Sequence, residues 1–300
     1  MEKPPFIWFN GQIMPWADAK IHVITHSLHY GSAVFEGERF YKTGENETAI
    51  FRLADHTKRL FYSASVLKMD IPFSVEEINA VHIDLLAKNG LSSGYIRPLA
   101  FFGEKMGLNP KGAPVETLIA AWGWGKYLAD KPLSVKISKY IRIHPKSLIT
   151  DAKVSGYYAN SIFASQEIEG EYDEALLLDF NGNVAEGPGE NIFMVKNGEI
   201  FTPALGSILP GITRDSIMTI ARDLGYRVTE KELSPDDLFT ADELFFTGSA
   251  AEVSAIGTLD DRQISDGNEG KITKIIKTKY FDAVQGKAPE YEAWLTRIAI

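Results

Sequence analysis

The sequence predicts an α+β fold in two domains. Its 300 residues are enough for two domains or for one large α/β domain. Apolar segments joined by Asn-Gly pairs predict hairpins, and apolar residues at helical spacing predict the helices between them. The stretch GKYLADKPLSV predicts a crossing between domains. We therefore place a small N-terminal domain at 1–122, an interdomain loop at 123–134 and a larger domain at 135–300.

The N-terminal half predicts two hairpins, a helix and two further strands. Asn10-Gly11 lies between apolar runs in FIWFNGQIMPW, which is a strong short-range hairpin signal. VFEGERFYKTGENETAIFRL predicts a second hairpin with a longer turn, and GYIRPLAFFG and VETLIAAWGWG are typical of strands. The stretch RLADHTKRLFYSASVLKM predicts a helix, since one face carries Leu53, His56, Leu60, Ala64 and Leu67.

The C-terminal half predicts more strands and one clear helix. LSVKISKYIRIHP alternates as a strand, and Asn181-Gly182 and Asn197-Gly198 predict two hairpin turns. A helix is predicted from about Thr213, and Gly225 fits the position just after its end. ELFFTGSAAEVSAIG predicts a strand that runs into a tight turn of small residues.

The composition narrows the classes of function. The net charge of -9 argues against nucleic-acid and anionic-membrane partners, because both attract an excess of Lys and Arg. The absence of cysteine excludes disulfides, thiol catalysis and thiolate metal sites, and the six histidines form no HExxH motif. The segment MEKPPFIWFNG lacks an apolar signal region, and no apolar run is long enough to span a membrane. We expect a cytoplasmic protein without a metal site.

One lysine stands in an unusual setting. Lys153 lies among small residues in DAKVSGYYAN, with Gly156 and two tyrosines close behind. A surface lysine needs no such surroundings. A lysine that bonds covalently to a carbonyl compound does, because it must be partly desolvated and held by close-packed backbone.

Three stretches offer anion-binding groups. GSILPGITRD places Ile212 and Thr213 at a helix start after a Pro-Gly pair, where free backbone N–H groups attract anions. Taken alone, Thr213 is more simply an N-cap residue. TGSAAE offers Ser249 and the N–H group of Ala250, although close packing also explains such a turn. Arg59 lies beside the apolar stripe of its helix, where a solvated arginine is the default interpretation.

Further polar residues lie in apolar surroundings. Glu186 follows a buried-looking strand in NVAEGPGENIF, where a carboxylate is costly unless a cation or a donor such as a pyridinium nitrogen pairs with it. Tyr95 and Arg97 alternate in GYIRP and so point to one face of a strand, with Arg97 either a carboxylate clamp or half of an ordinary ion pair. Together with Lys153 and the helix start, they suggest pyridoxal 5′-phosphate, which needs a covalent lysine, a phosphate site and an acidic partner.

Seven motifs carry a resemblance to a known family. HSLHYGSAVFEG, RLADHTKRL, GYIRP, AKVSGYY, EGPGENIF, LPGITRD and TGSAAE occur in the order and at about the intervals of the class IV (fold type IV) pyridoxal-phosphate enzymes. The sequence most resembles the branched-chain amino acid aminotransferases, over nearly its whole length. The resemblance implies a fold like that of D-amino acid aminotransferase, with a small N-terminal α/β domain and a larger cofactor-binding domain that contains a barrel-like sheet.

The resemblance implies how the cofactor is held. Lys153 would bond covalently to pyridoxal 5′-phosphate and carry a proton, Tyr158 would contact its phenolic oxygen and Glu186 its ring nitrogen. The remaining cofactor contacts, to the phosphate, nearby backbone or ring, would come from Arg59, Leu209, Ile212, Thr213, Ser249 and Ala250. Tyr157 stands where the family usually has asparagine, and the five-residue interval from Lys153 favours Tyr158 as the motif tyrosine. Ser249 replaces a more usual threonine and keeps the hydroxyl group.

The resemblance also implies the substrate and its contacts. The implied substrate-binding residues are Tyr30, Phe35, Gly37, Tyr95, Arg97, Trp124, Tyr127, Ser249 and Ala250. Tyr95 and the TGSAAE amides would bind the α-carboxylate, and Arg97, with Tyr30 and Tyr127, would bind the second carboxylate of glutamate or 2-oxoglutarate. The implied reaction moves the amino group of leucine, isoleucine or valine to 2-oxoglutarate by a ping-pong mechanism. A homodimer or larger homo-oligomer is also implied.

Other functions remain compatible with some of these motifs. A D-amino acid or (R)-amine transaminase would share Lys153 and Glu186 but should lack the HYGSAVFEG and YIRP pair. An aminodeoxychorismate lyase is disfavoured for the same reason. A non-catalytic binding protein of the same fold would be expected to have lost the lysine or the acidic residue, and both are present.

Overall fold

The computed structural model describes residues 3–125 and 127–300. The chain forms two units, each built around its own β-sheet. Unit 1 comprises Met1–Gly125, Ala152–Tyr157 and Ala283–Ile300, and unit 2 comprises Lys126–Asp151 and Tyr158–Asp282. No helix in the described residues combines the length and apolar character that a membrane crossing requires.

The strands alternate with helices along the described chain. In chain order the strands are β1 (Phe6–Phe9), β2 (Gln12–Pro15), β3 (Ala33–Phe35), β4 (Glu38–Gly44), β5 (Glu47–Phe51), β6 (Gly94–Phe102), β7 (Val115–Trp122), β8 (Leu133–Ile141), β9 (Glu174–Leu178), β10 (Val184–Glu186), β11 (Asn191–Lys196), β12 (Glu199–Thr202), β13 (Val228–Glu230), β14 (Glu243–Gly248), β15 (Glu252–Leu259), β16 (Arg262–Gln263) and β17 (Leu295–Ala299). The α-helices are α1 (His26–Tyr30), α2 (Leu53–Val66), α3 (Val75–Asn89), α4 (Ala159–Glu167), α5 (Ile212–Asp223), α6 (Pro235–Phe239) and α7 (Lys271–Val284). Short 3₁₀ helices cover Trp16–Asp18, Ser155–Tyr158 and Pro289–Trp294.

The local signals in the sequence produce the expected elements. Asn10 and Gly11 both have positive φ angles, 45° and 90°, and join β1 to β2 as a tight hairpin. The hairpins β4–β5, β9–β10 and β11–β12 and the helix α2 are likewise confirmed. Helix α5 ends at Asp223, and Gly225 follows with a φ of 86°, as predicted for the residue after a helix end.

Unit 1 is an eight-stranded sheet packed against two helices. Its strand order is β17-β5-β4-β6-β7-β1-β2, and β3 pairs with β6. Helices α2 and α3 bury their apolar faces with sheet residues such as Trp8, Phe40 and Ile96, which are almost inaccessible to solvent. Burying each large side chain stabilises the unit by about 1.5–3 kcal/mol. This core fixes α2, which carries Arg59, against the sheet that carries Tyr95.

Unit 2 contains a closed six-stranded barrel. The strands follow the order β10-β9-β8-β15-β14-β11, and a pairing of β10 with β11 closes the ring. The residues that make this closing pair are Glu186 and Asn191. Leu133, Leu176 and Phe246 belong to the apolar cluster of this unit, in which side chains from neighbouring strands pack together. The barrel-like sheet implied by the resemblance is confirmed, and one predicted site residue lies on its closing strand.

The bounds of the two units differ from the predicted domain boundaries at several points. The last strand, β17, pairs antiparallel with β5 over its whole length, so 283–300 belong to unit 1 and not to the domain predicted at 135–300. The segment 152–157 also belongs to unit 1. Within the predicted interdomain loop at 123–134, Lys126 lies outside the described residues, and β8 already begins at Leu133.

Candidate active site

The backbone at Lys153 is fixed against two elements of unit 1. The N–H of Phe35 donates to the Lys153 carbonyl at 3.1 Å, and the N–H of Lys153 donates to the Ser63 hydroxyl at 2.9 Å. Val34 and Val154 form an adjacent antiparallel bridge. Strand β3 and helix α2 therefore hold this segment from both sides, so the origin of the lysine side chain has little freedom to move.

Two glycines let this segment approach α1 closely. The N–H of Gly156 donates to the carbonyl of Gly31 at 3.0 Å. A Cβ atom built on Gly31 would lie 2.8 Å from the Cα of Gly156, and Gly31 has a φ of 64°. Larger residues at either position would push the lysine segment away from α1. The small residues that mark Lys153 in the sequence thus have a packing role.

The predicted substrate residues of unit 1 form one group around Phe35. The Lys153 Nζ lies 4.9 Å from the centre of the Phe35 ring, and the Arg97 guanidinium lies 4.7 Å from it. Arg97 Nη2 donates to the Tyr95 hydroxyl at 3.3 Å, which confirms that the two side chains share one face of β6. The Tyr95 and Trp124 rings meet edge to face at 4.8 Å. An apolar surface and a cation therefore lie side by side next to the lysine.

Gly37 packs against this group, whereas the described ring contacts of Tyr30 are with histidines of its own helix. A Cβ atom on Gly37 would lie 1.9 Å from the Tyr95 hydroxyl oxygen, so glycine is required if Tyr95 is to keep its position. Tyr30 lies on α1, where its ring is 4.6 Å from that of His26, and 39 % of its surface remains exposed. The structure thus packs Gly37 directly against the group and leaves Tyr30 partly exposed on α1.

Arg59 is held by a buried carboxylate that the sequence did not single out. Glu36, on the turn after β3, is fully buried and accepts from Arg59 Nε at 2.6 Å and Nη2 at 2.9 Å. His56 Nδ1 lies 2.7 Å from the same carboxylate. Burial alone would raise the pKa of Glu36, but the charges of Arg59 and His56 and their hydrogen bonds hold that pKa well below its usual value. Arg59 is therefore no solvated surface arginine.

In unit 2, Glu186 is a buried carboxylate surrounded by donors. Only 5 % of its surface is exposed. Arg142 Nε forms an ion pair with it, Asn191 Nδ2 donates to it at 2.9 Å, and the N–H of Leu209 lies 3.2 Å from both carboxylate oxygens. Asn191 also donates to the Leu209 carbonyl at 3.1 Å. These contacts fix the carboxylate and join it to the loop that leads into α5.

The start of α5 offers backbone N–H donors, but its N-cap residue is not Thr213, the residue that the sequence alone suggested. The helix begins at Ile212 with Gly211 as N-cap, so Thr213 is inside the first turn and is not the N-cap residue. Gly211 has no side chain to accept from the first N–H groups. A Cβ atom at Gly211 would lie 2.0 Å from Asn191 Oδ1. The same asparagine thus positions Glu186 and sets the approach to this helix.

The turn at Ser249 and Ala250 lies beside the loop that follows Glu186. It joins β14 to β15, and a Cβ atom on Gly248 would lie 3.3 Å from the Gly189 carbonyl oxygen. Ala250 and Tyr127 also line a cavity of about 150 Å³ in the same unit. The structure therefore brings these predicted residues of unit 2 near one another.

The two tyrosines after Lys153 have different surroundings. Tyr157 packs against an apolar cluster of unit 1 that includes Val34 and Leu60. Tyr158 ends the short helix Ser155–Tyr158, precedes α4 and is half-buried in unit 2. Tyr157 is thus partly covered by packing within unit 1, and the role of Tyr158 stays a prediction.

Comparison with known proteins shows the family. Residues 33–258 match the family model described as "Amino-transferase class IV". The curated branched-chain-amino-acid aminotransferase of Pseudomonas aeruginosa PAO1 is 46% identical over 298 residues, which cover 97% of this chain and 97% of that relative. The chain belongs to the class IV aminotransferases. Within them it belongs with the branched-chain amino acid aminotransferases, and it is a transferase.

Solved structures of class IV aminotransferases resemble the chain over its whole length. The branched-chain amino acid aminotransferase of T.th., complexed with N-(5′-phosphopyridoxyl)-L-glutamate, superposes with a TM-score of 0.95 at 45% identity, covering 99% of each chain. The same enzyme complexed with 4-methylvaleric acid gives a TM-score of 0.94 at 44% identity, again covering 99% of each chain. One relative is thus recorded with both a glutamate adduct and a branched aliphatic acid.

Four residues of this class IV aminotransferase escaped prediction. They are Glu36, Ser63, Arg142 and Asn191. The partner of each lies 5 to 90 residues away in the sequence. The sequence could have indicated Glu36 and Arg142, because a charged residue inside an apolar segment requires a partner. Among the described residues no cluster of three or more His, Asp or Glu side chains is arranged to hold a metal ion.

Proposed function

We propose that the protein moves the amino group of branched-chain L-amino acids to 2-oxoglutarate, giving branched 2-oxo acids and L-glutamate. The observation that carries the proposal is the surface of unit 1 on which Arg97 and Lys153 both face Phe35. An amino donor such as leucine presents an aliphatic side chain, whereas 2-oxoglutarate presents a second carboxylate. A site that accepts both needs an apolar wall and a cation next to each other, and this surface supplies them.

The residues present fit pyridoxal 5′-phosphate as cofactor. Gly211 leaves the first N–H groups of α5 without a side-chain cap, and a phosphate is a suitable acceptor for such groups. The Thr247 hydroxyl is buried and has no hydrogen-bond partner among the described residues, and Thr247 pairs with Asn191 on the barrel. Glu186 presents a fixed carboxylate. A phosphate-bearing pyridine ring would satisfy all three.

We propose the residue roles that the family resemblance implies. Arg59, the first turn of α5 at Ile212 and Thr213, and the turn at Ser249 and Ala250 would bind the phosphate. The ring would be held by Tyr158, Glu186 and Leu209. When bound, the cofactor supplies an electron-withdrawing ring that accepts the electron pair left by the departing α-proton. Lys153 would bond to it covalently and, once released, Lys153 Nζ would take up that proton and return it one carbon further along.

Substrate binding would use the group around Phe35. Tyr95 and the amides of the Ser249 turn would bind the α-carboxylate, and Arg97 would bind the second carboxylate with Tyr30 and Tyr127. Phe35, Gly37 and Trp124 would shape the pocket for the branched side chain. Because the donor and the acceptor use one pocket, the first product must leave before the acceptor binds. We therefore propose ping-pong kinetics.

We further propose that the protein works as a homodimer or a larger homo-oligomer. The segments 21–28 and 106–108 of unit 1 are joined by a hydrogen bond from His26 to the Gly107 carbonyl and expose several large apolar side chains. The exposed set is Ile21, Val23, Ile24, Leu28, Met106 and Leu108, which we call the unit 1 patch. A patch of this kind favours a symmetric contact with a second copy. The cytoplasmic location stays a prediction.

The experiment that tests the proposed function is a comparison of amino donors. We expect purified protein with pyridoxal 5′-phosphate to form L-glutamate from 2-oxoglutarate with L-leucine, L-isoleucine or L-valine, and far more slowly with D-alanine or an (R)-amine. Lys153→Ala should lose at least about 10³-fold in turnover, because the covalent and proton-carrying group is gone. Preference for D-alanine or an (R)-amine would instead favour a transaminase of that type. Absence of transfer from every donor would favour a non-catalytic binding protein.

A further inference from the structure

Glu36 is a buried carboxylate to which the proposed reaction assigns no role. It follows Phe35, whose N–H binds the Lys153 carbonyl, and its own N–H donates to the Pro98 carbonyl at 2.9 Å. The side chain is fully buried and points towards α2, where Arg59 and His56 bind it. A charge in this position costs several kcal/mol to desolvate, so its retention calls for an explanation.

The geometry of the contact fixes the plane of the Arg59 guanidinium. Two of its nitrogens, Nε and Nη2, face the two oxygens of Glu36 at 2.6 Å and 2.9 Å. A two-point contact of this kind restricts rotation about the last side-chain bonds of arginine. His56 binds the same carboxylate from one turn earlier on α2 and keeps the carboxylate itself from turning. Arg59 is therefore held in one orientation before any ligand arrives.

The same two elements hold Arg59 and Lys153 in a fixed relation. Arg59 and Ser63 are four residues apart on α2 and so lie on one face of the helix. Ser63 accepts from the Lys153 N–H, while Phe35, next to Glu36, donates to the Lys153 carbonyl. A shift of Arg59 relative to β3 would change its distance from the lysine backbone.

We propose that Glu36 is a positioning residue, which orients Arg59 so that its guanidinium meets the cofactor phosphate at a set distance from Lys153. The inference rests on the proposed function, since it assumes that Arg59 binds the phosphate. Glu36 should therefore change the affinity for the cofactor, and only through the contact between Arg59 and the phosphate group. Glu36 itself touches neither the cofactor nor the substrate in this account.

A purely electrostatic role for Glu36 makes the opposite prediction. Its negative charge partly neutralises Arg59, so removing that charge would strengthen the attraction of Arg59 for a phosphate. If Glu36 only tuned charge, Glu36→Gln would tighten cofactor binding. If Glu36 positions Arg59, both Glu36→Gln and Glu36→Asp weaken binding, because the first loses one ionic contact and the second retracts the carboxylate by one methylene group.

The test measures dissociation constants of two probes for the cofactor-free full-length protein. The probes are pyridoxal 5′-phosphate and pyridoxal, which lacks the phosphate. We expect both Glu36 variants to bind pyridoxal 5′-phosphate about tenfold more weakly than wild type, a coupling of about 1.4 kcal/mol, and to bind pyridoxal unchanged. In an Arg59→Ala background, Glu36→Gln should cause no further loss, since the residue it positions is absent.

The matched control is Glu38→Gln, a buried acid two residues further along. Glu38 is also fully buried, but its carboxylate lies 3.4 Å from His82 Nε2 on α3, a different helix from the one that carries Arg59. The Glu38→Gln variant should bind both pyridoxal 5′-phosphate and pyridoxal with unchanged dissociation constants, even if its thermal stability changes. Circular dichroism of each variant confirms folding, and Glu36→Asp serves if Glu36→Gln unfolds.

The outcomes separate the inference from the function on which it rests. Equal loss of affinity for both probes, or tighter binding of pyridoxal 5′-phosphate, would overturn the positioning role. Additive losses in the Arg59→Ala background would also overturn it. Failure of the wild-type protein to bind pyridoxal 5′-phosphate at all would overturn the proposed function itself, and the positioning role with it.

Discussion

Two buried carboxylates of this aminotransferase are each paired with an arginine. Glu36 binds Arg59 in unit 1, and Glu186 binds Arg142 in unit 2. In each case further donors occupy the remaining lone pairs, so that the cost of burying the charge is offset. Removal of one partner would leave an uncompensated charge, which typically costs about 3–5 kcal/mol. The pairs therefore hold their members in place as well as stabilising them.

Glu174, on β9, is a buried carboxyl group in a different situation. It is 5 % exposed, and the contact that the structure describes is a hydrogen bond from the Ala175 N–H at 2.8 Å. Burial raises the pKa of Glu174 to about 7, and the backbone hydrogen bond offsets this only in part. The group thus keeps its proton in the folded state at pH values where an unfolded chain has lost it.

Glu174→Gln should therefore stabilise the protein most at alkaline pH. Between the ordinary pKa of about 4.3 and the raised pKa, the folded state binds more protons than the unfolded state, so stability falls as the pH rises. Above about pH 7 the folded protein bears the full cost of burying an ionised Glu174 carboxylate. We expect the variant to gain on the order of 1–3 kcal/mol at about pH 8 and clearly less at about pH 5, by urea unfolding. An equal gain at both pH values would contradict the assignment.

At the residue scale, the sequence singled out candidate site residues more readily than the side chains that hold them. Lys153 could be singled out because small residues surround it, and the structure explains them by the contact between Gly31 and Gly156. Ser63 could not, since its partner lies 90 residues away and a serine inside a helix carries no local signal. Long-range pairings of this kind become visible only when the fold brings the elements together.

At the scale of elements, the start of α5 joins the barrel to a candidate phosphate site. Asn191 on β11 reaches both Glu186 and the Leu209 carbonyl, and Gly211 leaves room for it. Backbone N–H groups at a helix start attract anions only where they are open and correctly aimed. The barrel thus determines where the first turn of α5 points.

Gly211→Ala should disturb this junction. The added Cβ would lie 2.0 Å from Asn191 Oδ1, so Asn191 or the loop must move. The backbone of Gly211 has an ordinary φ of -66°, which means that the clash and not backbone strain is the cause. We expect a loss of about 1–3 kcal/mol in unfolding free energy and weaker binding of pyridoxal 5′-phosphate, by thermal unfolding with and without cofactor.

Gly123→Ala provides the comparison for that variant. A Cβ atom there meets nothing within 4 Å, so the substitution itself should change the melting temperature little. If Gly211→Ala also unfolded like wild type and bound the cofactor equally well, the crowding at α5 would have no consequence.

Elements were predicted well where local chemistry decides them. The Asn-Gly turns and the apolar stripes of α2 and α5 each depend on a few neighbouring residues. The short strand β3 was not predicted individually, since three residues carry no usable period and the strand depends on pairing with the distant β6. The return of β17 to the first sheet depends on its pairing with β5 and likewise has no local signal.

At the scale of the whole molecule, the unit 1 patch should hold two copies together. Val23 and Leu108 are 73% and 82% exposed, which is costly for side chains of this size unless a partner covers them. We expect Val23→Glu with Leu108→Asp to lower the mass of the particle in solution, by light scattering after size-exclusion chromatography. Leu205→Asp, at a 57% exposed leucine in unit 2, should leave the mass unchanged. An unchanged mass in the double variant would remove the patch from the interface.

The whole-molecule topology came from the resemblance more than from physical patterns. Hairpin and helix signals gave an α+β class with two parts, but the closing of the six-stranded barrel by Glu186 and Asn191 is a pairing that no pattern indicates. Alternation in GYIRP predicted that Tyr95 and Arg97 share one face of β6, and the hydrogen bond between the two side chains confirms this.

The measurement that tests the central claim most directly is the visible absorption spectrum of the purified protein with pyridoxal 5′-phosphate, followed as substrates are added. We predict a band that depends on Lys153, bleaches with L-leucine and returns with 2-oxoglutarate, which would demonstrate both half-reactions separately. Lys153→Ala should lack the band. A band that ignores L-leucine but bleaches with D-alanine would contradict the proposed specificity. A wild-type protein without any band would contradict the assignment of Lys153 and the transaminase function together.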